Sequence, residues 1–242
     1  MSGADKLHIR REGDSVHLLL NRPDKLNALD PDLVDALLKA VTQAAIDGTR
    51  LMTLSGAGRN FSAGFDLSDF EEVSEGDLLL RFVRIEQLLQ ALYHAPFQTV
   101  ALAHGRNFGA GVDIICSCNR RLAAPGSSFR MPGLRFGLVL GSRRFAARVG
   151  SDRARDILLR SHQFDEIEGQ AIGFIHHVAA PDEWDALRAQ ARQDIAALGA
   201  QATRALLDVT CSDTRDADLA ELVRSASAPG LKDRIRIYRA MK

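Results

Sequence analysis

Residues 99–113 read Thr99-Val100-Ala101-Leu102-Ala103-His104-Gly105-Arg106-Asn107-Phe108-Gly109-Ala110-Gly111-Val112-Asp113. Thr99 to Ala103 is an apolar run of strand length, His104 to Gly111 is a glycine-rich loop, and Val112 to Cys118 starts a helix. A helix start presents free N–H groups and a positive dipole end, which suit a carbonyl oxygen that gains charge. The same order occurs upstream: Leu51 to Leu54 reads as a buried strand, and Gly56 to Asp66 follows as a second glycine-rich loop. Glycines there allow positive φ and close approach of a ligand to the backbone. Spacing alone does not separate two such platforms from plain turns. A dinucleotide site is disfavoured. Gly56-Ala57-Gly58 opens a GxGxxG pattern, but the sixth position is Phe61, and Ser62-Ala63-Gly64 starts no helix pattern.

Around these loops the chain alternates strands and helices. His8 to Arg11 and Val16 to Leu20 flank Gly13-Asp14-Ser15 and read as a hairpin. Asp30 is placed as an N-cap, with Pro31 at the first helical position. Leu33, Leu37, Ala40 and Ala44 share one face of that helix, and Gly48 stops it. A second helix is expected over 77–95, with Leu79, Val83, Leu88 and Leu92 near one face and Pro96 ending it. Arg121 to Ala123 reads as a third core strand. Beyond Gly141 the pattern is almost wholly helical. The expected class is therefore α/β.

The 242 residues fit one large domain. Lys+Arg and Asp+Glu are both 31, and this balance argues against a nucleic-acid binder. Cys116, Cys118 and Cys211 lack the spacing of a disulfide framework. Residues 1–11 carry charge without an apolar core, so no signal peptide is expected. No apolar run nears the roughly 20 residues of a membrane span. A cytoplasmic protein without membrane association is the expectation.

Four ordered stretches then resemble the crotonase (enoyl-CoA hydratase/isomerase) superfamily: residues 20–29, Gly56 to Leu67, Ala103 to Asp113, and Phe129 through Gly141. The similarity spans about residues 8–180. It implies a crotonase-like spiral of ββα units over residues 1–180 and a helical C-terminal trimerisation region over 181–242. It also implies a homotrimer or homohexamer. The implied ligand is an acyl-CoA, with coenzyme A as part of the substrate and no separate cofactor. The oxyanion hole would be the backbone N–H groups of Phe65 and Ala110. Lys25, Leu26, Ser62, Ala63, Gly64 and Gly109 would contact substrate or CoA.

Hydratases of this superfamily use two glutamates. Asp113 stands at the first position, one methylene shorter, and is the expected acid/base. Gly133 stands at the second, and no Asp or Glu occurs from Met131 to Gly150. Hydration or double-bond isomerisation of an enoyl-CoA is the expected chemistry. The alternatives are hydrolysis or decarboxylation of an acyl-CoA, or a CoA-binding protein without activity. His104, Arg106, Asn107 and Arg130 are weaker candidates, expected to be structural or solvated. Asp66 is expected to cap a helix, while Asp69, Glu71 or Glu72 would reach toward the acyl end. Lys232, Arg234 and Arg236 form a short basic helix that would face CoA phosphates or solvent. His176-His177 lacks a partner at metal-ligand spacing, so no metal is expected.

Overall fold

The computed structural model describes residues 6–241; of the charged N-terminal stretch, residues 1–5 lie outside the described residues. Strands β1 (Leu7–Glu12) and β2 (Ser15–Leu20) pair antiparallel around Gly13, which holds φ +60°. Helix α1 (Pro31–Ala44) begins where Asp30 accepts the Leu33 N–H at 2.9 Å, with Pro31 in the first turn. Its buried face includes Leu33, Leu37, Ala40 and Ala44. Strand β3 (Leu51–Gly56) follows, then α2 (Glu75–Tyr93), whose start is closed by a Ser74–Asp77 capping box.

The remaining elements are β4 (Gln98–Ala103), β5 (Arg106–Phe108), α3 (Ala110–Ser117), β6 (Arg120–Ala123), β7 (Ser128–Arg130), α4 (Ser142–Val149) and α5 (Ser151–Arg160). After them come β8 (Gln163–Asp165), α6 (Glu166–Ala171), β9 (His177–Val178), α7 (Trp184–Ala196), α8 (Ala200–Val209), α9 (Arg215–Ala226) and α10 (Leu231–Ala240).

Six strands form one sheet in the order β1-β2-β3-β4-β6-β9, parallel except for the β1–β2 pair. Alternate residues of its strands serve two cores. Met52, Leu54, Ala101, Ala103 and Ala123 join the main core under α1 and α2. Leu51, Val100, Leu102 and Leu122 pack on Ala191 and Ile195 of α7. A three-stranded sheet, β5-β7-β8, carries the second glycine-rich loop. A third cluster joins Phe82 of α2 and Leu138 to Leu222 of α9 and to Leu231 and Ile235 of α10. The C-terminal helices thus return to the loops that form the site. Together these elements make the crotonase-like α/β fold with C-terminal helices.

Three expectations need correction. The buried face of α2 is Leu78, Phe82, Ile85, Leu88, Leu89 and Leu92, with Leu79 and Val83 half-buried beside it. Leu78-Leu79-Leu80 offers three phases, and packing against Phe70 and Leu138 selects the first. The segment after Gly141 is not wholly helical, since β8 pairs with β7 and β9 with β6. The loop of residues 104–111 contains β5. Strands of two or three residues take their shape from their partners and leave no periodicity. Among the described residues no helix is long and apolar enough to cross a membrane.

Candidate active site

The two glycine-rich loops meet. Phe108 N–H donates to Ser62 O at 3.2 Å. The Ser62 hydroxyl donates to Asn27 O at 2.8 Å and accepts from Gly64 N–H at 3.1 Å. Ser62 is wholly buried, so its side chain braces the loops internally. Asn27, also wholly buried, donates to Ala57 O and Asn60 O, both at 2.8 Å, and fixes the start of the first loop.

Glycine is required where the loops touch. Gly64 holds φ +80°, and a carbon placed as its Cβ would lie 2.3 Å from Phe108 O and 3.1 Å from Ala110 N. Gly109, the N-cap of α3, holds φ +48° and ψ −122°, a combination open to glycine alone. Helix α3 therefore starts at Ala110, two residues before the apolar pattern places it.

This packing leaves two donors unused. Leu29 and Phe65 form a parallel bridge in which Leu29 N–H bonds Gly64 O and Asp66 N–H bonds Leu29 O. In such a bridge the intervening N–H, that of Phe65, turns away from the partner strand. Ala110 is the first residue of its helix, so its N–H has no intrahelical acceptor. Among the described residues neither N–H has a hydrogen-bond acceptor.

Both residues line one cavity of about 100 Å³, together with Ala63, Gly109, Asp113 and Gly133. Its walls are mostly apolar, with Leu67, Phe82, Phe136 and Leu138 among them, and Ser142 and Tyr238 bring hydroxyl groups. Phe65 stacks on Phe82, with ring centroids 4.2 Å apart, which fixes the backbone at the first donor. Asp113 is the only carboxylate lining the cavity among the described residues. It is 3% exposed, and its Oδ1 has no hydrogen-bond partner. Burial holds its proton affinity well above the ordinary carboxylate value. The Arg144 guanidinium opposes that shift, and the Glu86 carboxylate reinforces it.

Gly133 opens a short 3-10 turn (Gly133–Phe136), and its Cβ position lies 3.0 Å from Leu138 O. Among the described residues no acid from elsewhere replaces the missing one. Asp69 is held by Arg81 through two bonds of 2.7 and 2.8 Å, and Glu71 by Arg236. Glu72 is exposed. None of the three lines the cavity. Asp66 caps no helix: it accepts from the Arg22 guanidinium at 2.9 Å and from Ser68 N–H at 3.0 Å, in a turn.

Lys25 is exposed in the turn Pro23–Lys25. Leu26 is half-buried, and its carbonyl accepts the N–H of cavity-lining Ala63 at 2.9 Å. The first-loop stretch thus sits beside the cavity.

The other candidates are engaged elsewhere. His104 Nε2 faces Gly58 O at 3.0 Å, and Asn107 donates to Gly105 O and Ser128 O. Arg106 and Arg130 lie over the Phe108 ring, and Arg130 also donates to Ser161 O. His176 Nδ1 accepts the Arg121 N–H at 3.1 Å. Lys232 donates to Glu71 O and Val73 O, and Arg234 to Phe136 O and Ala228 O. With the Arg236–Glu71 pair, these bonds tie α10, which contributes Tyr238 to the cavity wall, to the loops around residues 71–73 and 136. Among the described residues no three His, Cys, Asp or Glu side chains come together as a metal site.

Sequence reasoning missed Phe82, Tyr238 and the Glu86–Arg144 pair behind Asp113. Tyr238 is distant in sequence from every loop motif and carries no local signal.

Comparison with known proteins bears on the family and the fold. Residues 12–227 match the enoyl-CoA hydratase/isomerase family. A solved structure from Bordetella parapertussis, described as an enoyl-CoA hydratase/isomerase, superposes with a TM-score of 0.96. It is 50% identical over 97% of this chain and 98% of that chain. A solved enoyl-CoA hydratase from Bacillus halodurans shares the fold, at a TM-score of 0.84 and 20% identity over 96% of this chain and 99% of that one. The Mycobacterium tuberculosis protein named enoyl-CoA hydratase echA6 is 33% identical over 147 residues, 60% of this chain and 58% of its own length. The glyoxysomal fatty acid beta-oxidation multifunctional protein MFP-a of Brassica napus is 28% identical over 188 residues. That match takes in 75% of this chain and 26% of the relative, so these two relatives are matched over only part of their length. Motif order, loop geometry and the match over residues 12–227 agree: this chain belongs to the enoyl-CoA hydratase/isomerase (crotonase) family.

Proposed function

We propose that the protein acts on an enoyl-CoA thioester, holding the carbonyl oxygen between Phe65 N–H and Ala110 N–H while Asp113 moves a proton. The observation that carries the reading is a pair of N–H groups without acceptors on two residues that line one cavity with a single buried carboxyl. Two such donors, already oriented, stabilise the charge that develops on oxygen when a proton leaves the α-carbon.

One carboxyl favours double-bond migration over hydration. Asp113 as carboxylate takes the C2 proton of a 3-enoyl thioester. The electrons delocalise through C1 onto the oxyanion, and the same carboxyl returns the proton to C4, leaving the 2-enoyl product. Atoms and charge balance with one group. Adding water needs a second group to activate it, and Gly133 supplies none. The raised proton affinity of Asp113 makes its ionised form a stronger base.

Coenzyme A enters as part of the substrate. Its pantetheine and phosphates are assigned to exposed Lys25 and to Leu26, a reading supported by the bond from cavity-lining Ala63 to the Leu26 carbonyl. A trimer, or a pair of trimers, is part of the proposal. Leu198, Leu206 and Val209, on and beside α8, expose large apolar side chains that association would cover.

The test is incubation of purified protein with 2-enoyl, 3-enoyl, 3-hydroxyacyl and malonyl-type CoA thioesters, read by chromatography and mass spectrometry. A 3-enoyl substrate converted at unchanged mass supports the proposal. Gain of water, loss of carbon dioxide or release of free CoA names a different reaction on the same platform. Binding of every thioester without turnover would make the protein a CoA binder. Light scattering at monomer mass would refute the trimer.

A further inference from the structure

Asp113 is packed against the N-terminus of α4. A carbon placed as Cβ on Gly141 would lie 1.9 Å from Asp113 Oδ1 and 2.6 Å from its Cγ. Gly141 is the N-cap of α4, holds φ +67° and offers no side-chain cap. The first backbone bond of the helix runs from Phe145 N–H to Gly141 O at 2.9 Å. The earlier N–H groups, of Ser142, Arg143 and Arg144, lie beyond the helix's own ladder. The unpartnered, buried Oδ1 of Asp113 therefore lies against a positive helix end.

One turn into α4, Arg144 is 2% exposed and pairs with Glu86 of α2, which is 1% exposed. Nη1 donates to Glu86 Oε2 at 3.1 Å, and Nη2 also lies 3.5 Å from Asp218 Oδ2 of α9. An ion pair this deep often stabilises a fold no better than apolar residues of the same volume. Its place in the first turn of α4, three residues beyond the Gly141 that packs on Asp113, gives it a different use.

We infer that Arg144, held in place by Glu86, is a positioning residue that sets how much of Asp113 is in its base form. The inference rests on the reading of Asp113 as the proton-transfer group. Arg144 and the α4 N-terminus favour the carboxylate, whereas burial and Glu86 favour the acid. Burial and Glu86 prevail, and the proton affinity of Asp113 stands well above the ordinary carboxylate value. The other titratable or charged groups around Asp113 are Cys116 on α3, Asp218 and its partner Arg143 beyond Arg144, and Tyr238 across the cavity.

The test is the titration of Asp113 in ligand-free, full-length protein, followed by carboxyl carbon NMR with Asp113→Asn as the assignment reference. Glu86→Gln keeps the shape of the pair and removes the negative charge, so the Asp113 midpoint should fall. Arg144→Gln should raise it. Each shift is expected to be on the order of one pH unit, as for a charge close to a carboxyl. Arg144→Lys should restore part of the original midpoint.

A purely structural pair would move the midpoint in the same direction in both variants, or not at all, and either result overturns the inference. If Arg144→Gln fails to fold, Glu86→Gln alone decides, because an unmoved or raised midpoint refutes the assignment. Opposite shifts in a protein that turns over no enoyl thioester would leave the electrostatic coupling intact and sink the proposed reaction instead. Turnover with an uncoupled Asp113 would do the reverse.

Discussion

Alanine at position 64 strikes the point where the two loops meet. The substitution puts a methyl group on a backbone at φ +80°, a region that costs an L-residue about 1–2 kcal/mol. That carbon would also sit 2.3 Å from Phe108 O, where ordinary contact needs about 3.5 Å, so the loops must part by roughly 1 Å. Phe65 N and Ala110 N flank the contact and would separate with it. Misplacing a reacting group by about 1 Å costs on the order of 10²-fold in rate, and losing one oxyanion donor costs about 10²- to 10³-fold. Gly64→Ala should therefore lower kcat for the enoyl thioester by about 10² or more.

Gly126→Ala is the matched control. It holds a similar φ of +78°, but nothing lies within 4 Å of its Cβ position. It should lose only the backbone part of the stability, about 1–2 kcal/mol, and keep its turnover. Thermal denaturation and steady-state kinetics on both variants, with CoA-thioester binding measured separately, make the comparison. A Gly64→Ala enzyme within about threefold of the parent kcat would show that the oxyanion is not held at this junction, since a shared donor pair cannot be displaced so cheaply. Equal loss of turnover in Gly126→Ala would assign the effect to backbone strain.

Asp113→Asn should lower turnover by about 10²- to 10⁴-fold, the usual contribution of a general acid–base group. Because burial raises the folded-state proton affinity of Asp113, its own contribution to native stability is fully present below the unfolded carboxylate range and is lost as pH rises through the folded midpoint. The Asn variant should lack that fall, so the difference between the two melting curves should grow with pH. A constant difference would mean that Asp113 does not titrate as described. Gly133→Glu needs Leu138 O to give by a few tenths of an ångström. By supplying a second carboxyl it should raise hydration of a 2-enoyl thioester about 10-fold or more, measured as 3-hydroxyacyl product. No gain would show that the backbone there cannot aim an acid at water. Tyr238→Ala removes a wall that packs on Phe136, with ring centroids 5.4 Å apart. It should shift kcat/KM toward longer acyl chains at a stability cost of about 3 kcal/mol, and an unchanged chain-length preference would place the acyl group elsewhere.

What could be read from the sequence was local chemistry. The Asp30-Pro31 helix start, the hairpin around Gly13 and the strand–glycine–helix order of residues 99–113 each depend on neighbours in the chain, and each stands in the fold. The two donors were legible only through the family resemblance, since Phe65 and Ala110 contribute backbone atoms and could be many residue types. Asp113 was visible as a carboxylate, but its surroundings were not. Glu86, Arg144 and Tyr238 reach it through contacts between distant segments. The phase of α2 was ambiguous because Leu78, Leu79 and Leu80 are all apolar, and Leu80 ends 59% exposed. Lys232, Arg234 and Arg236 look like a phosphate-binding face in sequence. Their acceptors include carbonyls at Glu71, Val73 and Phe136 and the Glu71 carboxylate, all more than 90 residues away in the chain, which no local pattern encodes.

Under the proposed reading, the replacement of a second acid by Gly133 and the depth of Asp113 have one cause. A wall of Leu134, Phe136 and Leu138 beside Gly133 offers a water molecule nothing to orient it and leaves Asp113 in surroundings of low polarity. Withholding water suppresses hydration of the enolate's precursor. Withholding solvent from the carboxylate makes it a stronger base once ionised. The same burial also makes ionisation costly, so a base placed there is of little use unless something favours its charge. The α4 N-terminus at Gly141 is packed against it, the Arg144 guanidinium of the same helix turn favours its charge, and Glu86 keeps that guanidinium from being a free buried cation. An apolar wall and a buried ion pair, which look contradictory when met separately, are on this account the two halves of one way of running proton transfer with a single acid.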